Sequence, residues 1–269
     1  MTSFIPKKPN DDEIMMKDSI LKTFTVATLL CVVCSVLVAM TATGLKPIQE
    51  KNALLDKQIN VLRASGLAAS REKISADRAE ELFGQVEQVV VDLASGTAAA
   101  DADPAAIDID AQLKDPNGSV AIASADDIAG VKRLPNQVVV YLVRDDAGAL
   151  NKVVLPIYGQ GLWSVMYGFL TLEGDLKTVA NLSFYDHGET PGLGGEISNP
   201  SKMEKWSGKS AFDESGKPAV HFVKGTAAAG DPYQVDGLSG ATLTSNGVNR
   251  TVAFWLGERG FGPYLATLK

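Results

Sequence analysis

Apolar and polar positions change rhythm along the chain, and each change predicts a different kind of element. Residues 24–43, "FTVATLLCVVCSVLVAMTAT", run for twenty positions without a charge between Lys22 and Lys46. About twenty apolar residues is the helix length that crosses a bilayer core. A cleaved signal peptide has a shorter apolar core, roughly 7–15 residues, ending in a small-x-small site. The stretch "VAMTATG" fits such a site poorly. A lipoprotein signal fails as well, because large Leu30 and Val33 directly precede Cys31 and Cys34. The run is expected to be one uncleaved transmembrane helix.

Beyond it the period becomes helical. Ile48, Leu55, Ile59 and Leu62 recur at helical spacing within 47–63, and Gly66 is placed to stop that helix. Residues 76–93 predict a second helix with Leu82, Val86, Val89 and Val90 on one face, weakened by Gly84. The stretch 94–130 has no period and is rich in Ala and Asp, with seven Asp from Asp101 to Asp127 against Lys114. That composition predicts a solvated, loosely ordered excursion. Its acids lack the regular spacing and central glycine of a calcium loop.

Alternation then takes over. Residues 137–144 and 150–158 flank "DDAG", and 164–172 and 178–186 flank "EGD", which predicts two hairpins. A further strand is expected over 219–223. Val248, Val252, Trp255 and Leu256 share one face of a closing helix that Gly260 ends. Helices, then antiparallel strands, then a helix define an α+β domain over 46–269, an antiparallel sheet with flanking helices.

Composition narrows the function. At 269 residues and 45% apolar the chain can bury a core, and its net charge of −7 argues against a nucleic-acid partner. The tail 1–23 carries four acids and four lysines, so the negative charge belongs to the part after the span. Lys7, Lys8, Lys17 and Lys22 outnumber Lys46, Lys51 and Lys57, a slight bias that predicts a cytoplasmic N-terminus and an extracytoplasmic domain. Two cysteines inside the apolar run and two histidines give no disulfide framework and no zinc-ligand set. Electron chemistry in this chain would need an organic cofactor.

Three glycine-rich stretches remain: "YGQGLWSVMYG" (158–168), "HGETPGLGGE" (187–196) and "DGLSGATLTS" (236–245). Each by itself reads as a turn. Together they join permissive glycines to indole, aliphatic and amide groups of the kind that hold a flavin. The third stretch opens a helix, where free N–H groups and the positive end of the macrodipole favour a phosphate. Gly240 and Ala241 allow close approach there. The hydroxyls of Ser239, Thr242, Thr244 and Ser245 can cap the helix or donate to the phosphate. A threonine at that place can also become the ester-forming residue, and spacing alone does not tell a capping threonine from a modified one.

At these residues the chain resembles a known family. "DGLSGAT" looks like the flavinylation motif of covalent FMN-binding domains, whose final threonine, here Thr242, carries FMN through a phosphoester. The order "GQGLWSVMYGFL", "HGETPGLGGEI", "SGATLTSNGV" behind one N-terminal span is similar, over essentially the whole chain, to the C-subunit family of Na⁺-translocating NADH:quinone reductases. The second stretch and the length favour that family over its relative, the G subunit of the Rnf electron-transport complex.

The resemblance implies a bacterial inner-membrane subunit of a hetero-oligomeric, sodium-pumping oxidoreductase. FMN on Thr242 would relay electrons between an iron–sulfur centre and another covalent flavin, after a flavin transferase attaches it outside the cytoplasm from FAD. It places Ser239, Gly240, Ala241, Leu243 and Thr244 about the attachment point, Glu189, Thr190 and Leu193 against the flavin, and Trp163 near it. No catalytic residue and no metal are implied, and the isolated chain is not expected to oxidise NADH. Read without the family, Glu189 equally serves to satisfy backbone amides in its own turn.

Two other functions compete on the residues alone. Gly237 to Ala241 is one residue from a G-x-S-x-G nucleophile elbow, but His187 and His221 both precede Ser239, against the order of an α/β-hydrolase. A non-catalytic assembly subunit with an empty pocket is the second, and a fluorescent band after denaturing electrophoresis separates it from a flavoprotein. The glycines at 192, 194 and 195 have the wrong spacing for a dinucleotide fold.

Overall fold

Helix α1 (Asp11–Ser65) carries the apolar run and continues through Gly44 and Pro47 into the helical period over 47–63, so the two stretches form one helix. Both residues lie on an exposed stretch, so the backbone groups that Pro47 leaves unpaired are not buried. The computed structural model describes the backbone of residues 11–268 and the side chains of residues 20–268. Lys7 and Lys8 of the expected tail, and the side chain of Lys17, lie outside the described residues. The chain divides into two compact units, one ending at Leu54 and one beginning at Leu55. In the first, α1 is long and apolar enough to cross a membrane, and Leu29, Leu30, Val33 and Leu37 are exposed along it.

The second unit begins with the last turns of α1. Gly66, at φ +78°, ends the helix as its position suggested. The terminal carbonyls are taken up by distant side chains that the sequence did not announce. Thr171 Oγ1 donates to the Ala64 oxygen at 3.0 Å, and Lys152 Nζ to the Ser65 oxygen at 3.0 Å. Helix α2 (Ala76–Phe83) follows, with Ser75 Oγ accepting from the Arg78 amide as its cap.

Here the expected helix over 76–93 is corrected. It stops at Gly84, and Val86–Asp92 form strand β1. Val86 and Val90, four residues apart, fit a helical face and a strand face equally well. The run Val89–Val91 is β-branched, and pairing with a later strand decides the matter.

The Ala/Asp-rich stretch is also corrected, because it is built of short, capped elements. They are strand β2 (Thr97–Ala98), a 3₁₀ turn at Pro104–Ala106, helix α3 (Ile109–Lys114) and strand β3 (Ser119–Ala121). Its aspartates are turn and cap residues. Asp103 and Asp108 accept from the Ala105 and Ala111 amides, and Asp127 from those of Val131 and Lys132. Short carboxylates bond to nearby backbone in this way, so a high Asp content does not require disorder.

Strand β4 (Arg133–Pro135) pairs with β3. The two expected hairpins follow as β5 (Gln137–Arg144) with β6 (Leu150–Gln160), and β7 (Val165–Glu173) with β8 (Val179–Asp186). They form one antiparallel sheet in the order β2-β1-β5-β6-β7-β8. Short helix α4 (Pro200–Met203) comes next. The strand expected over 219–223 is reduced to β9 (His221–Phe222), which pairs in parallel with β10 (Gln234–Val235), a strand the sequence did not suggest. The chain closes with α5 (Thr242–Leu256), capped at Gly257 rather than at Gly260, and with an unforeseen helix α6 (Gly262–Thr267).

Both faces of the sheet are apolar, and each is covered. Val61 and Leu62 of α1 and Leu82 of α2 pack with Val90, Tyr141, Val154 and Phe169 on one face. Val248, Val252, Trp255 and Leu256 of α5 pack on the other, as their helical spacing predicted. Trp255 is fully buried, its Nε1 donates to the Tyr158 oxygen at 2.7 Å, and its ring lies 5.0 Å from that of Tyr158. This contact fixes α5 on β6. Trp255→Ala should lower the stability of the unit by about 3–5 kcal/mol, from the cavity and the stranded carbonyl. The expected outcome is a clearly lower midpoint in chemical unfolding, whereas a change on the exposed face of α5, such as Arg250→Ala, should leave it within about 0.5 kcal/mol.

Candidate functional site

β6 ends, β7 begins and β8 ends at one side of the sheet, because β7 runs antiparallel to both neighbours. The first two glycine-rich stretches therefore meet there, as the β6–β7 turn and the segment after β8. A single carboxylate joins them to the third. Glu189 Oε1 accepts from the Trp163 amide at 2.9 Å and the Ser164 amide at 3.4 Å, and Oε2 accepts from Thr244 Oγ1 at 2.5 Å. The residue is only 4% exposed. Glu189 thus satisfies amides of a different turn, not of its own, and reaches the start of α5 as well.

The surroundings are shaped to this group. A Cβ at Gly161 would lie 2.6 Å from Glu189 Oε1, and one at Gly194 would strike Thr244 Oγ1 and lie 2.9 Å from Glu189 Oε2. Both glycines leave room for the carboxylate. The Glu189 amide donates to His187 Nδ1 at 3.2 Å, and the Gly188 amide donates to Ser164 Oγ at 2.5 Å. Burial by itself would raise the carboxyl pKa of Glu189. The Thr244 hydroxyl and the amides of Trp163, Leu162 and Ser164 outweigh it and hold the group below its ordinary value of 4.5.

The third stretch is anchored at its first residue. Asp236 pairs with Lys205 Nζ at 2.5 Å and accepts from the Ala227 amide at 2.7 Å, and Lys205 holds its carboxyl below the usual range. Buried Leu238 and Ala241 tie down the middle, and Gly240 turns with φ +71°. Helix α5 then starts at Thr242 with Ala241 as its N-cap, and no side chain caps it. Of the two uses open to the hydroxyls of Ser239, Thr242, Thr244 and Ser245, capping the helix does not occur. The helix begins too late for Ser239 and too early for the others, and Thr244 turns inward to Glu189 instead.

The expected site residues fall into two layers. Thr244 (1% exposed) and Glu189 are buried, and Ala241 lies with them below the surface. Thr242, Thr190, Ser239 and Gly240 are exposed or partly so, together with the large side chains of Trp163 (69%), Leu243 (59%) and Leu193 (45%). Leu193 Cδ2 would lie 2.9 Å from a Cβ at Gly240, so the second and third stretches meet there too. The Thr190 carbonyl takes the Leu193 and Gly195 amides and closes its own turn.

Sequence reasoning missed Leu162, which is 44% exposed beside Trp163, and the Lys205–Asp236 pair. Leu162 was legible as an apolar residue inside a turn, whereas Lys205 had no local signal. His221 Nδ1 lies 2.7 Å from the Ala219 oxygen and His187 Nδ1 accepts from the Glu189 amide, and among the described residues neither histidine is hydrogen-bonded to Ser239.

An uncapped helix start with an exposed hydroxyl, bordered by exposed apolar side chains, suits a ligand with a phosphate at one end and a flat ring at the other. The FMN-binding domain family matches residues 161–257, which contain all of these groups. Fold and site define an FMN-binding domain carried behind an apolar helix.

The C subunit of the Na⁺-translocating NADH-quinone reductase of Yersinia pestis is 51% identical over 96% of each chain. That of Pseudomonas aeruginosa is 46% identical over 94% of this chain and 97% of its own. The crystal structure of Shewanella oneidensis NqrC superposes with a TM-score of 0.72 at 36% identity, over 79% of this chain and 96% of that one. The chain belongs to the C-subunit family of the Na⁺-translocating NADH-quinone reductases. That membership decides between the two families the sequence resembles.

The depressed Glu189 carboxyl has a pH signature. Its contribution to stability is complete above its ordinary value of 4.5 and is lost as pH falls through its lowered folded value. Glu189→Gln should therefore be less stable at neutral pH by about 1 kcal/mol, since neutral hydrogen bonds replace charge-assisted ones. Its stability should also fall less steeply than that of the parent below about pH 4.5. Unfolding midpoints measured from about pH 3 to 7 check both, and parallel curves would remove Glu189 from the acid response.

Proposed function

We propose that FMN is esterified through its phosphate to Thr242, and that the chain is the electron-relay subunit of a sodium-pumping NADH:quinone oxidoreductase. The observation that carries the attachment point is the division of hydroxyls at the start of α5. The Thr244 hydroxyl is buried and committed to Glu189, whereas Thr242 is exposed on an uncapped helix end. The free N–H groups of that first turn, and its positive end, offer a place for the phosphate. Gly240 lets it approach, with Ser239, Ala241 and Leu243 bordering it. Trp163, Leu193 and Leu243 supply apolar surface for the ring, with Leu162 and Thr190 at its margin. Bound FMN supplies an isoalloxazine that takes up and releases electrons, and the chain contributes its placement.

Attachment takes a flavin transferase with FAD as donor. The Thr242 Oγ–phosphorus bond forms, the phosphorus–oxygen bond to AMP breaks, and the hydroxyl proton passes to a base of that enzyme. The apolar segment 24–43 is read as a single span that leaves 1–23 in the cytoplasm and 46–269 outside it, in a bacterial inner membrane. Electrons then come from partner subunits rather than from NADH, because the phosphate-binding helix start is already taken by the FMN itself.

Thr242→Ala should abolish covalent flavin completely, whereas Thr244→Ala, in the protein that folds, should still carry it once maturation has gone to its end point, even if it is attached more slowly. In-gel fluorescence after denaturing electrophoresis reads both. Fluorescence that survives in Thr242→Ala would overturn the attachment point.

The orientation has its own check. A C-terminal alkaline phosphatase fusion should be active in a bacterial host, and a C-terminal fluorescent protein that matures only in the cytoplasm should stay dark. The reverse pattern would put the flavin domain in the cytoplasm and remove the proposed maturation route.

A further inference from the structure

Glu189 is buried, so its carboxylate has little surface to offer a flavin ring. Its two oxygens serve different elements. Oε1 is occupied by the Trp163 and Ser164 amides, and Oε2 by the Thr244 hydroxyl. We infer that Glu189 is a positioning residue: through the Thr244 hydroxyl it sets the turn that carries Trp163 against the first turn of α5 that carries Thr242. This deepens the reading of Thr242 as the FMN attachment point and rests on it.

The physical basis is the rigidity of a carboxylate whose acceptor sites are filled. One planar group accepts from two elements that are far apart in sequence, so their separation is fixed to within hydrogen-bond tolerance. Losing either set of donors leaves a buried, charged oxygen unsatisfied, and that penalty resists independent movement of the two elements. Thr244 lies two residues after Thr242 on the same helix turn, so holding its hydroxyl inward also fixes how the helix start presents Thr242. Gly161 and Gly194, whose Cβ atoms would collide with this assembly, allow the elements to close on it. The Lys205–Asp236 pair and the Ala227 amide hold the other end of the Asp236–Ala241 loop, which leaves the Thr244 bond to define the helix end.

The test separates a hydrogen bond from mere packing. Thr244→Ser keeps the hydroxyl and loses the methyl, and Thr244→Val keeps the shape and loses the hydroxyl. Positioning through the hydroxyl requires Ser to behave like the parent and Val to fail, whereas a packing role requires the reverse order. Glu189→Met, similar in length but without an acceptor, should fail like Val, and it decides the matter if Val does not fold.

Two readouts on the full chain, produced with its flavin transferase, report the result. The first is the rate of covalent flavin incorporation, which should fall roughly three- to tenfold in Val and Met, the range a lost hydrogen bond carries, and should be kept in Ser. The second is acrylamide quenching of tryptophan fluorescence. Trp206 and Trp255 are fully buried and Trp163 is 69% exposed, so quenching reports on Trp163. Measured in a Thr242→Ala background, it needs no flavin. Val and Met should change it, and Ser should not.

Equal behaviour of Ser and Val in both readouts, or Ser worse than Val, would overturn the inference. Covalent flavin surviving in Thr242→Ala would instead overturn the attachment reading, while the quenching series would still decide whether Glu189 holds the Trp163 turn.

Discussion

A sheet that is apolar on both faces has to be covered twice, and the architecture of residues 55–269 follows from that requirement. Val139, Tyr141 and Val143 of β5 point to one cover and Val138, Val140 and Leu142 to the other, and all are buried. The end of α1 with α2 supplies one cover, and α5 supplies the other. Because Trp255 locks α5 to β6 at the Tyr158 carbonyl, the opposite end of α5 is not free to settle anywhere else. It must begin beside the loops that leave β6 and β8, and the glycine-rich stretches are those loops. Placement of the candidate flavin site is thus a consequence of how the second apolar face is hidden.

Within the site, a buried acid does what a hydrophobic contact could not. Apolar packing is non-directional, so it can bring loops together but does not fix their orientation. The Glu189 carboxylate, surrounded by amides and one hydroxyl, is directional, and its desolvation is offset because its oxygens have donors. The layer above it can then be apolar and exposed. Leu162, Trp163, Leu193 and Leu243 remain exposed at the surface. The proposed covalent attachment would suit such an open setting, since retention would not depend on an enclosing pocket.

Much of this was legible in the sequence where local chemistry decides local structure. The two hairpins, the apolar span, the stop at Gly66 and the buried face of α5 all follow from period and turn residues. Their signals lie within a few residues of the feature itself. That the third stretch opens a helix was legible for the same reason, because its small residues and hydroxyls lie directly before the apolar period of α5. The reading failed where one pattern served two structures. Val86 and Val90 fit a helix or a strand, and only β5 as a partner chose the strand. The aspartates of 94–130 looked like solvated charge, but Asp103, Asp108 and Asp127 each found backbone amides within a few residues.

What the sequence by itself determined is therefore the list of parts: an apolar helix, a set of antiparallel strands, a closing helix, and three glycine-rich stretches, the last with several hydroxyls at a helix start. What only the tertiary structure decided is which parts meet. Glu189 and Thr244 are 55 residues apart, and Glu189 and Trp163 are 26 apart. No local propensity encodes a hydrogen bond across such distances. The roles of Thr242 and Thr244 likewise cannot be told apart in "GATLTS", where both are hydroxyls near a helix start. One is exposed and the other buried because α5 is held at a particular rotation on β6. That rotation is set by packing across the whole sheet, a long-range constraint that a local sequence pattern does not contain.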